Sequence, residues 1–347
     1  MNYLFSSMLF VGAFATLGCQ SGVLVAPPLA TGQLDVTALI GDGDNVYWTT
    51  SDGFVRRVST SGGPVVDLAR GLVAPSAIAL DDVAVYWAGN GTIGRAPKAG
   101  GATEILFENE DGVGSLQVDA SYAYWLRGPG EGAANATGQV RKAPKAVAAA
   151  VQTLLSDSID PHALALNGSL YFPATITTPL AAGSGLYALP TTGGTPVAAT
   201  SGQFATVATY GASICSAGAD AQALATNPNA TAQAITCTAL DGSNPTVVAA
   251  GLPSLVTSLT LDDTTVYFGT ADGTMSAVAV DGTTPVGGGA VTSPDGTAIL
   301  GPTSSGAYGP VVFASGPTAA ASVVAVDVTQ VYWAHTGGNA IFAMPKF

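Results

Sequence analysis

Runs in which apolar residues alternate with small or polar ones recur along the whole chain, each ended by a cluster of Gly, Asp, Asn, Pro or Ser. The stretch 76–107 shows the unit most clearly. An alternating run, Ala77-Ile78-Ala79-Leu80, meets an acidic turn, Asp81-Asp82, and is followed by Val85-Tyr86-Trp87 and a polar loop. A third run covers residues 93–98, and after Gly100-Gly101 a fourth covers Glu104-Ile105-Leu106-Phe107. Alternation with a period of two puts every second side chain on one face, and the Gly- and Asp-rich breaks supply tight turns. The unit therefore reads as four short antiparallel strands.

The second strand carries the strongest signal. Val46-Tyr47-Trp48 returns as Val85-Tyr86-Trp87, Ala123-Tyr124-Trp125, Leu170-Tyr171-Phe172, Val266-Tyr267-Phe268 and Val331-Tyr332-Trp333, with a degenerate copy aligned at Ser213-Ile214-Cys215, seven in all. Their spacing, roughly 40 to 65 residues, brackets the length of one four-stranded blade. The predicted architecture is all-β: a seven-bladed β-propeller with four antiparallel strands per blade, an eight-bladed ring being the alternative. The signature residues resemble the YWTD and NHL class of β-propellers, and in particular secreted bacterial lipoproteins built from YWTD-like repeats. The acidic fourth residue of that family's signature is Thr50 here and, one position displaced, Asn90 in the second copy, so no blade-locking role for it is carried over.

Third strands end in a common motif, Ala96-Pro97-Lys98, Ala143-Pro144-Lys145, Leu189-Pro190 and Met344-Pro345-Lys346, with Pro at a strand end where no ladder donor is lost. The sequence stops after the last of these, which leaves the seventh blade an unpaired inner edge. Residues 22–27, with Val23-Leu24-Val25-Ala26, have the pattern to close the ring from the N-terminus. Between 281 and 321 the repeat loses its rhythm, which reads as an insertion in blade six, with residues 310–314 either finishing that blade or forming a side hairpin.

The apolar fraction of 48% in 347 residues allows one large core and needs no second domain. The formal charge of −13 with only 10% charged residues argues against nucleic acid as a partner, and Lys and Arg are absent between Ala146 and Pro345. The apolar run 3–18 is too short for a membrane span and reads as a signal peptide. Leu17-Gly18-Cys19 resembles a bacterial lipobox, which implies lipidation of Cys19; Ala13-Phe14-Ala15 offers an ordinary cleavage site instead. The expected organisation is 1–18 signal peptide, 19–34 tether and closing strand, and 35–347 propeller, extracytoplasmic on a bacterial outer membrane or cell surface, or else secreted or periplasmic. Membrane contact is expected through the lipid alone, and the protein as a monomer. Cys215 and Cys237 then remain as a pair on consecutive strands of blade five, and a disulfide is favoured although the alignment leaves their register open.

Asp42, Asp81, Asp119, Asp262 and Asp327 stand five residues before a signature Tyr, with Asn167 in that role in blade four. They are read as turn caps rather than as an ion site. No nucleophile elbow, phosphate loop or metal spacing is present, and no cofactor or metal is expected. On the candidate binding face at the channel mouth, His162 begins the inner strand of blade four, where its counterparts are Thr37, Ser76, Thr257 and Ser322, while His335 lies in the loop after the blade-seven signature, expected on the same face; blades four and seven oppose each other across the ring. A non-catalytic binding or scaffold propeller is the first reading, a propeller enzyme of the lyase or lactonase type acting at the central channel the alternative, and a structural envelope protein the third. The connections between second and third strands are long in three consecutive blades, 127–139, 174–184 and 216–234. Together with Arg127 and His162 they form the expected recognition wall for a protein or glycan partner.

Overall fold

The computed structural model describes residues 28–128, 138–157, 163–176, 183–227, 231–282, 311–315, 322–335 and 340–346. They form seven four-stranded antiparallel sheets, six of them in simple sequence order. Blades one to six occupy residues 36–69, 75–110, 113–157, 165–201, 204–252 and 256–315. The seventh combines Ser322–Val326, Gln330–His335 and Ala340–Pro345 with Ala30–Thr31 from the start of the chain. First strands contact first strands of the neighbouring blades around the ring, including blade seven to blade one. The core is accordingly not one mass but a seam between each pair of blades, filled by Tyr and Trp of the signatures pointing alternately to either side.

Closure corrects one expectation. The edge that the N-terminal segment covers is the outer one of blade seven, and the pairing residues are Ala30↔Ile341 and Thr31↔Ala340, with Leu29 N–H donating to Ile341 O at 2.7 Å. Residues 22–27 lie outside the described part. A physical reason for the short strand is visible in the sequence: Pro27 and Pro28 have no N–H to give the ladder. Blade six is finished by Val311–Ser315, so that residues 283–310 are an insertion between its third and fourth strands.

In blade five the alignment shifts by one. Tyr210 pairs with Ser213 at the turn and Cys215 with Cys237, which gives Ile214-Cys215-Ser216 the place of Val46-Tyr47-Trp48 rather than Ser213-Ile214-Cys215. Direct cross-strand pairing holds the Cα atoms 4.0 Å apart, and the disulfide forms. It occupies the position where other blades pair Tyr with a basic residue, Tyr47↔Arg57 and Tyr124↔Lys142.

Two devices pin the seams. Each signature Asp uses Oδ1 to accept two backbone N–H groups of its turn and Oδ2 to accept the Tyr hydroxyl five residues on; for Asp81 the three distances are 2.9, 2.8 and 2.7 Å. Asp42, Asp119, Asp262 and Asp327 repeat the pattern. Lys of the Pro-Lys motif in the next blade then reaches the same Oδ2: Lys98 to Asp42 at 2.9 Å, Lys145 to Asp81 at 2.6 Å and Lys346 to Asp262 at 2.8 Å. Burial by itself would raise the Asp81 carboxyl, but the hydrogen bonds from Lys145, Tyr86 and the turn N–H groups outweigh it and hold it well below the ordinary range. Conversely, burial and then the Asp81 carboxylate push the Tyr86 phenol up to about 12. Asn167 departs from the scheme and donates across the seam to Gly211 O at 2.8 Å.

The second device lies further along the same seams. Glu110, 3% exposed at the end of blade two, accepts from Trp125 Nε1 at 2.8 Å and from Arg141 Nη1 at 2.5 Å, both of blade three. Between blades seven and one, Gln33 takes that part toward Trp48 and Arg56. In blade two Gly94 stands where Arg56 and Arg141 stand, because Trp87 lies so close that a Cβ there would be 2.6 Å from its ring.

Candidate functional site

The ring has two faces. Connections from first to second strands, with the Asp turns, define a turn face; connections from second to third strands define a loop face, where the first strands also begin. The candidate residues divide differently from expectation. First strands of blades one, two, three, five and six shift register between their first and third residues, a bulge at the second. Thr37, Ser76 and Thr257 are bulge residues. Thr37 Oγ1 donates to Pro75 O at 2.7 Å and Ser76 Oγ to Val113 O at 2.9 Å, in each case the first residue of the next blade's inner strand. Thr257 Oγ1 donates to Gly269 O at 3.3 Å within its own blade. The hydroxyls of Thr37 and Ser76 therefore stitch inner strands together around the ring and do not converge on a common point.

His335 is the last residue of its strand, paired with Ser322, not a loop residue. It shares its repeat position with Arg127, which pairs with Val113 and Gln139 at the end of the second strand of blade three. His162 lies outside the described residues.

The long connections are partly built structure. In blade four the strands Ser169–Ile176 and Gly183–Pro190 pair to their tips, so the hairpin itself projects beyond its neighbours. In blade five the strands run to Ala219 and from Gln233, and between them lies a short helix, Ala221–Thr226. Buried Asp220 ties that helix down: its backbone O accepts from Leu224 N–H, and its Oδ2 accepts from Gly251 N–H of the outer strand at 2.9 Å. In blade three the connection spans 128–137. Short turns serve blades one, two and six, such as Asn90 in the left-handed region between Gly89 and Gly91.

Electrostatics single out two residues at the loop-face ends of strands, the exposed Arg70 and the half-buried Arg127. Among the described residues every Lys and Arg except Arg70 and Arg127 is held by a hydrogen bond or ion pair. Sequence reasoning named Arg127 for its loop. It passed over Gln139, whose place opposite Arg127 follows only from strand register.

On the turn face, the ends of the first strands of blades one, five, six and seven surround a cavity of about 360 Å³ lined by Asp42, Thr209, Tyr210, Thr260, Asp262 and Asp327 among others. Its carboxylates are those already engaged by turns and tyrosines. Among the described residues no set of three or more His, Cys, Asp or Glu side chains is placed to hold a metal ion, and no helix is long and apolar enough to cross a membrane.

No family model matches the chain, and no curated protein sequence matches it. Solved structures do. The extracellular domain of the putative one component system BT4673 from B. thetaiotaomicron is similar at a TM-score of 0.58 and 10% identity, over 93% of this chain and 40% of that one. Apo AztD from Citrobacter koseri is similar at 0.53 and 10% identity, over 90% of both chains. A chain of a nidogen/laminin complex is similar at 0.47 and 18% identity, over 63% of this chain and 80% of that one. At such identities the first two are likenesses of fold alone.

Proposed function

We propose that this protein is a non-catalytic binding or scaffold propeller of the YWTD-like lipoprotein type. It works outside the cytoplasm, anchored to a bacterial envelope membrane by lipid on Cys19, and recognises a protein or glycan partner on its loop face. The observation that carries the reading is the run of three consecutive blades, three to five, with long second-to-third connections or extended hairpin strands; the blade-five connection is fastened by Asp220. Binding surfaces concentrate on such loops because a rigid scaffold positions them while their own sequence is free to vary. Two further features agree. The Cys215–Cys237 disulfide points to an oxidising compartment. The channel-mouth hydroxyls of Thr37 and Ser76 are engaged by backbone carbonyls, which leaves them a structural task.

The test is a crosslinked pull-down with the full chain against a variant in which all three connections are cut to the length of Gly89-Asn90-Gly91. The expected result is one stoichiometric partner for the wild type and none for the variant, with the same β-sheet circular dichroism for both. Capture that survives the trimming overturns the loop-face reading. Membrane fractionation of Cys19→Ala tests the anchor, and unchanged fractionation overturns it.

A further inference from the structure

An ammonium group recurs at one place in the ring. Between blades one and two, Asp42 Oδ2 accepts the Tyr47 hydroxyl and also Lys98 Nζ. Between blades two and three, Asp81 Oδ2 accepts Tyr86 and Lys145 in the same way, and between blades six and seven Asp262 Oδ2 accepts Tyr267 and Lys346. One carboxylate oxygen thus takes a phenol and an ammonium together, and the ammonium is the stronger, charge-assisted partner.

Between blades seven and one, Asp327 is set up like its counterparts. It accepts the N–H groups of Thr329 and Gln330 on Oδ1 and the Tyr332 hydroxyl on Oδ2. Burial alone would raise its carboxyl, but these hydrogen bonds outweigh it and keep it below the ordinary range, hence ionised at neutral pH. The lysine place, however, is taken in blade one by Thr60: its N–H donates to Asp44 O as that of Lys98 donates to Val83 O, and its hydroxyl is turned to Gly43 O and Asp44 O. Blade four has Thr191 at that place, but there Lys142 Nζ donates to Thr191 O and the charge of Lys145 acts on Asp119. Of the ten Lys and Arg in the chain, Arg70 and Arg127 alone are uncommitted, and both are at the loop face. The chain has no lysine or arginine left for Asp327.

Access also sets this seam apart. Asp327 is half-buried and lines the turn-face cavity of about 360 Å³, within the range of about 300–1,000 Å³ usual for small-ligand sites. Gly41 of blade one adjoins it: a Cβ there would stand 3.4 Å from Asp327 Oδ2, and at the same place blade two carries Leu80. Asp42 and Asp262 line the cavity too, but their lysines neutralise them, so a single uncompensated charge faces it. The walls beside that charge are apolar, with Tyr210 48% and Val328 76% exposed.

Beyond the loop-face reading, and independent of it because this is the opposite face, we propose that the turn-face cavity binds a primary alkylammonium group. Its nitrogen donates to Asp327 Oδ2, as a lysine does in three other seams, and its carbon stem lies against Tyr210 and Val328. One uncompensated carboxylate calls for one positive charge, which favours a monoamine over a polyamine or a divalent metal ion.

The experiment is an NMR titration of the full chain at low ionic strength, following the backbone amides of Gly41 and Val328. The probe is n-pentylamine, compared with pentyltrimethylammonium, which has the charge and stem but no N–H, and with calcium ion. The expected result is saturable movement of both resonances by pentylamine, with binding at least tenfold weaker for each comparison. Asp327→Asn keeps the acceptor for the turn N–H groups and is expected to weaken pentylamine binding at least tenfold. Thr60→Lys supplies the ammonium from the chain itself; it is expected to raise Tm and to weaken pentylamine binding by a similar factor, and it serves even if Asp327→Asn does not fold. Unmoved resonances, an unchanged affinity in Thr60→Lys or in folded Asp327→Asn, or a comparison cation that binds as tightly as pentylamine overturns the proposal. Nα-acetyl-lysine methylamide separates the two sources of such a group: binding as tight as that of pentylamine assigns the site to a lysine side chain of a partner, and binding at least tenfold weaker assigns it to a free amine.

Discussion

Replacing Asp81 by Ala removes the hub of one blade-to-blade lock. The carboxylate accepts two turn N–H groups, worth about 1 kcal/mol each by analogy with a helix cap, and the Tyr86 hydroxyl, worth about 1 kcal/mol. It also neutralises Lys145, whose side chain is only 10% exposed. Breaking a buried pair from one side costs about 3–5 kcal/mol; Asp81 retains 18% exposure, so about 2 kcal/mol is the share assigned to Lys145. The sum is about 5 kcal/mol, which at roughly 2 °C per kcal/mol for a domain of this size lowers Tm by about 10 °C. Asp119→Ala is the internal control. Asp119 has the two N–H groups and the Tyr124 hydroxyl but no lysine bonded to it, so its loss is expected to cost about 2 kcal/mol less. Calorimetry on wild type, Asp81→Ala, Lys145→Met and the double variant gives the coupling directly, expected at 1–2 kcal/mol. Additivity within about 0.5 kcal/mol, or equal losses at Asp81 and Asp119, refutes the lock. The pH dependence has a definite sign. The folded Asp81 carboxyl lies below its unfolded value, so its contribution is complete above about pH 4 and is lost as pH falls toward the folded value. The gap between wild type and Asp81→Ala is therefore expected to narrow in acid.

Glu110→Ala leaves Arg141 without its carboxylate at a nearly closed seam and is expected to cost about 3–5 kcal/mol, against about 1–2 kcal/mol for Gln33→Ala at the equivalent place; equal denaturant midpoints would contradict the difference in charge. Opening the Cys215–Cys237 bridge by double substitution to Ser is expected to remove about 3 kcal/mol, and thiol labelling of the wild type should require prior reduction. Deleting residues 28–31 uncovers the outer edge of blade seven and is expected to lower Tm by several degrees; a deletion that melts like the wild type makes the two-residue strand dispensable. The Tyr86 phenol is held up to about 12, so stability present below pH 10 is expected to fall as pH rises from 10 to 12, and absorbance at the phenolate band should show Tyr86→Phe to remove a late-titrating group.

The sequence by itself determined the repeat and hence the fold. A Tyr-aromatic pair preceded by Asp at a fixed distance can be satisfied only by a strand, a tight turn and a neighbouring blade, and that pattern is local. The turn role of the Asp residues and the strand-end role of Pro97, Pro144, Pro190 and Pro345 were legible for the same reason. What crosses a seam was not. That Lys145 reaches Asp81, 64 residues earlier, or that Glu110 receives Trp125 and Arg141, depends on how one blade is rotated against the next, and no periodicity along the chain encodes that angle. Register was decided in three dimensions too. A one-residue shift in blade five carried Cys215 into the Tyr position opposite Cys237, and a bulge at Thr37 and Ser76 turned presumed channel-mouth side chains into stitches between inner strands. A strand displaced by one residue shows the opposite face. Composition and alternation fix which residues lie inside, and only the packed ring fixes which of them meet.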